Sequence, residues 1–366
     1  MGIQLVRNRK LLDWAPRGEP SNCPMLASQM KRFAKFTPWQ LHSVVRKVFA
    51  GRIPSLQAGA MARDMFGQPP FTVAISDGMY SAADQCIYLW ESSMRLLSEG
   101  QVDLERGLSV GDVLIKINET TSGRGLEDKV KKVVSHLRRA LRDGDPTALL
   151  RLSVADVELP LVGVPEGDLR HRPRRQFLWE QFVLSHELAH IILGHLGPTG
   201  SLTASRYADD AVLDYWNLPT WSTMTDDIQR DEATADLFGL LELSYASSWE
   251  ISQREGVNKA WRDRSQLALL VQHLDGAAIA TLIFYLLSAL GVSMQHASTH
   301  PHPDDRLALI FEAVLVRMKA IISTTSEPDE GYSSLPGFYE RALSSTRSIP
   351  AIYRILTNAF ELALER

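Results

Sequence analysis

Apolar positions along the chain change period several times, and each change marks an element. In residues 27–65 apolar side chains such as Leu41, Val44, Val45 and Val48 recur at helical spacing, and Pro54 is expected to break the run. Pro69 and Pro70 introduce residues 71–75 (FTVAI), a short β-type run closed by the turn signal Asp77 and Gly78. Residues 85–90 (QCIYLW) offer a partner strand, and residues 92–97 then start a helix. Residues 101–163 differ in character: a β-type run at 113–117, a charged helix over 126–142, a turn at 143–146, and apolar runs at 148–154 and 157–162. That order reads as a separate module. Residues 165–175 (PEGDLRHRPRR) suit a linker or surface loop, and the chain beyond them is mostly helical. A long helix over 176–196 is expected to stop at Gly197 and Pro198, and a second helix covers 230–240. Residues 323–337 read as an exposed loop, with one or two terminal helices around Pro350, and there is no internal repeat.

One apolar stretch, residues 276–294 (GAAIATLIFYLLSALGVSM), is long enough to span a bilayer. Thr281, Ser288 and Ser293 lower its hydrophobicity, and its flanks carry Asp275 and histidines rather than a Lys/Arg cluster. A buried core helix is the expected reading, with a membrane helix as the alternative. The 366 residues are a soft prior for two domains, and 45% apolar with 22% charged residues excludes collagen-like, wholly disordered and disulfide-scaffold classes. Lys plus Arg (39) against Asp plus Glu (43) gives a net charge of −4, so nucleic acid is not an expected partner. Lys129, Lys131, Lys132, Arg138, Arg139 and Arg142 on the charged helix read as a solvated face. Two cysteines, Cys23 and Cys86, fit a reducing compartment, and the first residues carry no secretory pattern. Val6 stands where a myristoylation signal needs Ser or Thr. A cytoplasmic location is therefore expected.

Within the 176–196 helix stands His186-Glu187-Leu188-Ala189-His190, an HExxH pattern. Side chains four apart lie nearly above one another, so both imidazoles can grip a single Zn²⁺. Glu187 is placed to take a proton from zinc-bound water. Random placement of this chain's residues gives about 0.015 such patterns, so chance is a poor explanation. A catalytic zinc takes three protein ligands and keeps one open position. His195 fails as the third, because five residues beyond His190 it lies some 140° around the helix; it is expected to cap the helix end or hydrogen-bond in the core. The HExxHxxGxxH spacing also fails, since Leu193 and Leu196 occupy its glycine and histidine positions. Glu232 and Asp236, four apart on the downstream helix, fit better: the first can reach zinc and the second can accept the free N–H of a ligand histidine.

HExxH followed by Glu232-Ala-Thr-Ala-Asp236 resembles the HExxH and ExxAD-type signature of the gluzincin metallopeptidases. Residues 298–309 (STHPHPDDRLAL) resemble the His-Pro stretch and arginine of prenyl-protein-processing and heat-shock metalloproteases and of Lit-like phage-exclusion proteases. The resemblance covers roughly residues 176–310. It implies an α+β fold, a mainly helical zincin-type core with a small edge sheet, to which FTVAI and QCIYLW are vaguely similar. It also implies His186, His190 and Glu232 as zinc ligands, Glu187 as general base, and Asp236 as partner of a ligand histidine. His300 would stabilise the oxyanion, with His296 and His302 as rivals. Arg306 would anchor a carboxylate, either Asp236 or a substrate group.

A second resemblance lies in the inserted module. Residues 107–118 (GLSVGDVLIKIN) look like the GLxxGDxIxxIN run of PDZ domains, which bind peptide C-termini by strand addition, although the usual carboxylate-binding loop is not recognisable. The expected organisation is residues 1–100 as the first part of a peptidase core, 101–165 as a PDZ-like insert, 166–322 as the catalytic helical core, and 323–366 as a helical extension. The expected function is zinc-dependent hydrolysis of peptide bonds in a protein or peptide substrate, and the insert is a candidate docking site for a peptide or protein regulator. Two alternatives stand beside it: a PDZ-like scaffold with a structural metal, and a membrane-anchored processing protease. Trp216, Trp221 and Tyr215 read as core aromatics or as lining of a substrate cleft.

Overall fold

The computed structural model describes residues 24–36, 45, 48–53, 60–64, 71–99, 121–143, 171–195, 227–252, 259–290, 302–323 and 335–365. They form a mainly helical α+β structure in which a small sheet sits against a stack of helices. In chain order the elements are α1 (Pro24–Phe36), β1 (Val48–Ile53), β2 (Ala60–Asp64), β3 (Phe71–Ser76), α2 (Asp77–Glu99) and α3 (Thr121–Asp143). They continue with α4 (His171–Ile192), α5 (Asp227–Ser252), α6 (Lys259–Ala289), α7 (Pro303–Ser323) and α8 (Leu335–Leu364).

The sheet has the order β1-β3-β2, with β3 parallel to β1 and antiparallel to β2. Residues 24–36 are helical, as expected, but the strands at 48–53 and 60–64 correct the helical reading of the later part of 27–65 on either side of Pro54. The helical spacing there carries little weight against ladder pairing to the β-branched FTVAIS strand, whose Val73 and Ile75 are fully buried.

A second correction concerns QCIYLW. It is not a strand but the middle of α2, and Cys86, Ile87, Leu89 and Trp90 are fully buried there. An apolar run of six residues has no period that separates a core strand from a helix enclosed on most sides. The helix starts at Asp77, where a turn was expected, because Ser76 caps it: the backbone N–H of Met79 donates to Ser76 Oγ at 3.1 Å.

The charged helix of the expected insert is α3. Its Leu126, Val130, Val133, Val134 and Leu137 are buried, and it packs against α2 and α8 within the main core. The GLxxGDxIxxIN run and the apolar runs at 113–117, 148–154 and 157–162 lie outside the described residues. At the C-terminus a single helix, α8, runs through Pro350, which forfeits one backbone hydrogen bond. Ile349, Ile352, Tyr353, Leu356 and Phe360 bury its apolar stripe in the core.

Two helices form the centre. α4 is buried from Leu178 to Ala189, and α6 packs against α2, α4, α5, α7 and α8. α6 is long and apolar enough to cross a membrane, but 72% of its most apolar window is buried inside the protein. α6 crosses α4 at Gly276, where a Cβ would lie 2.6 Å from the carbonyl oxygen of Leu178, so only a hydrogen there permits the contact.

Candidate metal centre

The site is assembled where α5 lies against the C-terminal half of α4. A Cβ on Gly239 would lie 3.0 Å from the backbone nitrogen of His186 and 3.1 Å from Ser185 Oγ, which is tighter than ordinary packing. This close approach brings Glu232 and Asp236, seven and three residues before Gly239 on the same face of α5, opposite His186.

Nε2 of His186 and Nε2 of His190 are 3.1 Å apart. Glu232 Oε2 is 3.4 Å from the first, and Glu232 Oε1 is 3.6 Å from the second. Tetrahedral ligands bound at zinc distances sit about 3.3–3.4 Å from one another, so these three spacings bracket the edge of such a tetrahedron. His186, His190 and Glu232 thus form a group that can hold a metal ion. Two imidazoles and one carboxylate are a donor set open to several divalent transition metals, zinc among them.

The two imidazole rings are held from behind. His186 Nδ1 is 2.8 Å from Asp236 Oδ1, and Asp236 is fully buried. Arg306, from the first turn of α7, donates to the same carboxylate through Nε at 2.8 Å and Nη2 at 2.7 Å, a two-pronged pair. The Arg306 guanidinium also lies over the Phe284 ring, 5.2 Å from its centroid. His190 Nδ1 is 2.8 Å from Nδ1 of His195.

Charge follows this geometry. Burial works against a charged His186, but Asp236 and Glu232 outweigh it and raise its pKa to about 10. Burial also opposes ionisation of Asp236, yet Arg306 and His186 hold it down at about 2. Glu232 is held well below the carboxylate range, against desolvation, by His190 and His186. Arg306, desolvated but facing Asp236, is held firmly in its charged form, and Glu232 and Glu187 add to the negative field around it.

His186, His190, Glu232, Asp236 and Arg306 are therefore brought together, and Arg306 binds Asp236 rather than standing free for a substrate. Glu187 is buried beside His186 in the same helix. His296, His300, Tyr215, Trp216 and Trp221 lie outside the described residues. His302 caps α7: its carbonyl accepts from Arg306 N–H at 3.1 Å and its exposed ring accepts from Asp304 N–H at 3.3 Å.

His195 closes the end of α4 and hydrogen-bonds there, as expected, but ideal helical geometry misplaces its ring. α4 ends at Ile192, not at Leu196, and Gly194 takes φ +80°, the left-handed conformation that turns the chain back. The His195 N–H then donates to the His190 carbonyl at 3.0 Å, and the ring returns to His190 instead of lying 140° away. Gly194, one residue before His195, was the available signal for this cap.

Compared with protein-family models, with curated proteins and with solved structures, the chain gives no match. The functional reading therefore rests on the side chains and their arrangement.

Proposed function

We propose that this protein is a zinc-dependent endopeptidase of gluzincin type. The observation that carries the proposal is the convergence of His186, His190 and Glu232 from two helices to spacings of 3.1–3.6 Å, with Glu187 between the histidines in sequence. A bound zinc would polarise the scissile carbonyl and make its water acidic enough to lose a proton near neutral pH. Glu187 accepts that proton and delivers it to the leaving amine. Asp236 accepts the Nδ1 proton of His186 and keeps Nε2 of that ring directed at the ligand group, and Arg306 keeps Asp236 in place and ionised. His300 is assigned to the negative charge that grows on the carbonyl oxygen.

A structural zinc is closed by four protein ligands, whereas the described residues bring three to this point. That count favours an open, catalytic position over the scaffold reading. The test is metal analysis of the purified chain together with cleavage of a cell lysate by the wild type and by Glu187→Gln. About one zinc per chain is expected in both, with proteolysis falling by roughly 10²–10⁴ in the variant. Identical fragment patterns from the two proteins would remove Glu187 from the reaction.

A further inference from the structure

We propose that His195 is a positioning residue for the second ligand imidazole: its neutral ring accepts the Nδ1 proton of His190 and so fixes the tautomer and rotation of that ring. The assignment rests on the metal reading above and adds a residue to it. Nε2 of His190 faces Nε2 of His186 at 3.1 Å and Glu232 Oε1 at 3.6 Å, so a ligand lone pair belongs on Nε2. The proton of the neutral ring must then reside on Nδ1, on the far side of the ring. That nitrogen meets Nδ1 of His195 at 2.8 Å, with the two rings inclined at 65°. His195 must therefore offer its Nδ1 lone pair and carry its own proton on Nε2.

The same geometry keeps His195 from being a ligand, because its near nitrogen faces the back of His190 and not the Nε2 cluster. Placement of the ring is a backbone property. Gly194 at φ +80° and the 3.0 Å bond from the His195 N–H to the His190 carbonyl set the turn without help from the side chain. A substitution at His195 consequently leaves the helix end in place and removes only the acceptor.

The experiment uses the full chain with His195→Leu and His195→Asn, and reads zinc affinity by competition with a chromogenic chelator, with circular dichroism of the zinc-free proteins alongside. His195→Leu should bind zinc roughly 10–100-fold more weakly than the wild type. In His195→Asn the amide Oδ1 takes the place of Nδ1 and should keep affinity within about threefold of the wild type. Equal affinity of wild type and His195→Leu overturns the assignment. So does a folded His195→Asn that binds zinc roughly tenfold or more weakly than the wild type, an outcome that also decides the matter if the leucine variant fails to fold. A wild type that takes up no zinc removes the metal reading itself and this assignment with it, a different result from loss in the variant alone.

Discussion

The two halves of α4 each bury polar side chains, and they are wired in opposite ways. Near the N-terminal half, Arg175 donates to Asp275 Oδ2 at 3.1 Å and to Glu91 at 2.8 Å, and Trp90 Nε1 donates to Asp275 Oδ1 at 2.8 Å. One turn further, the fully buried Glu180 accepts from Gln29 Nε2 at 3.1 Å and from the Tyr80 hydroxyl. The donors of Arg175, Trp90, Gln29 and Tyr80 there meet acceptors, and the result ties α1, α2 and α6 to α4. In the C-terminal half, ring nitrogens and a carboxylate point at one another, an arrangement that needs a cation or an extra proton between them. A matched buried network holds helices together; a convergent one can hold an ion and depends on the rest of the fold to keep its shape.

The division predicts different consequences for two aspartates. Asp236→Ala leaves Arg306 as a buried charge without its anion and His186 without its acceptor. It should lower the unfolding free energy by about 3–5 kcal/mol and weaken zinc binding roughly 10–100-fold. Asp275→Ala also breaks a buried pair, but its side chain and that of Arg175 are each 14% exposed, so water can reach the remaining cation. A loss of about 2–3 kcal/mol is expected, with the zinc affinity of the folded protein unchanged. Urea unfolding and chelator competition on both variants separate the two effects. If Asp275→Ala weakens zinc binding as much as Asp236→Ala does, the division between the halves is wrong.

How far the sequence reveals these regions follows from what each depends on. Side chains four apart on one helix are legible because helical geometry alone sets their spacing, so the pairs His186 and His190, and Glu232 and Asp236, could each be named from the chain. The match of Arg306 to Asp236 spans seventy positions and depends on how α7 packs, so the sequence left two partners open for it. The capping role of His195 was legible, but its contact with the His190 ring was not, because one left-handed residue, Gly194, turns the chain out of the ideal helical path. QCIYLW was misread for a different reason: six residues are too short a window, and the polar positions that reveal the helical period, Ser81, Asp84, Glu91, Ser92 and Arg95, lie outside it. The N-terminal network was invisible beforehand because Arg175 lay in a stretch that read as linker, while in the structure α4 already begins at His171.

Two glycines sharpen the comparison at the level of the backbone. Gly276→Ala places a methyl group 2.6 Å from the Leu178 carbonyl oxygen, and Gly239→Ala places one 3.0 Å from the His186 backbone nitrogen. Overpacking of this kind costs about 1–3 kcal/mol, with Gly276→Ala at the upper end because a backbone atom must give way by more. Only Gly239→Ala should also weaken zinc binding, by roughly tenfold, since the shift it forces separates Glu232 from the histidines. Thermal unfolding with and without zinc measures both, and an undisturbed affinity in Gly239→Ala would show that α5 can move without opening the ligand group.

The smallest effect per step is that of pH, and it distinguishes the halves by sign. In the zinc-free protein the pKa of His186 is raised from 6.5 to about 10, so its ion pairs with Asp236 and Glu232 stabilise the fold fully below 6.5 and are lost as pH rises through about 10. Asp236, lowered from 3.8 to about 2, contributes stability that is present above 3.8 and disappears as pH falls through about 2. Asp275 runs the other way in acid: burial outweighs Arg175 and raises its pKa, so its contribution is lost as pH rises through that value. Zinc can bind His186 only after displacing its Nε2 proton, so apparent zinc affinity should climb about tenfold per pH unit between about pH 7 and pH 9. Chelator competition across that range measures the slope. A flat profile would mean that His186 gives up no proton on binding, so that Asp236, 2.8 Å from its Nδ1, and Glu232, 3.4 Å from its Nε2, do not keep the ring charged.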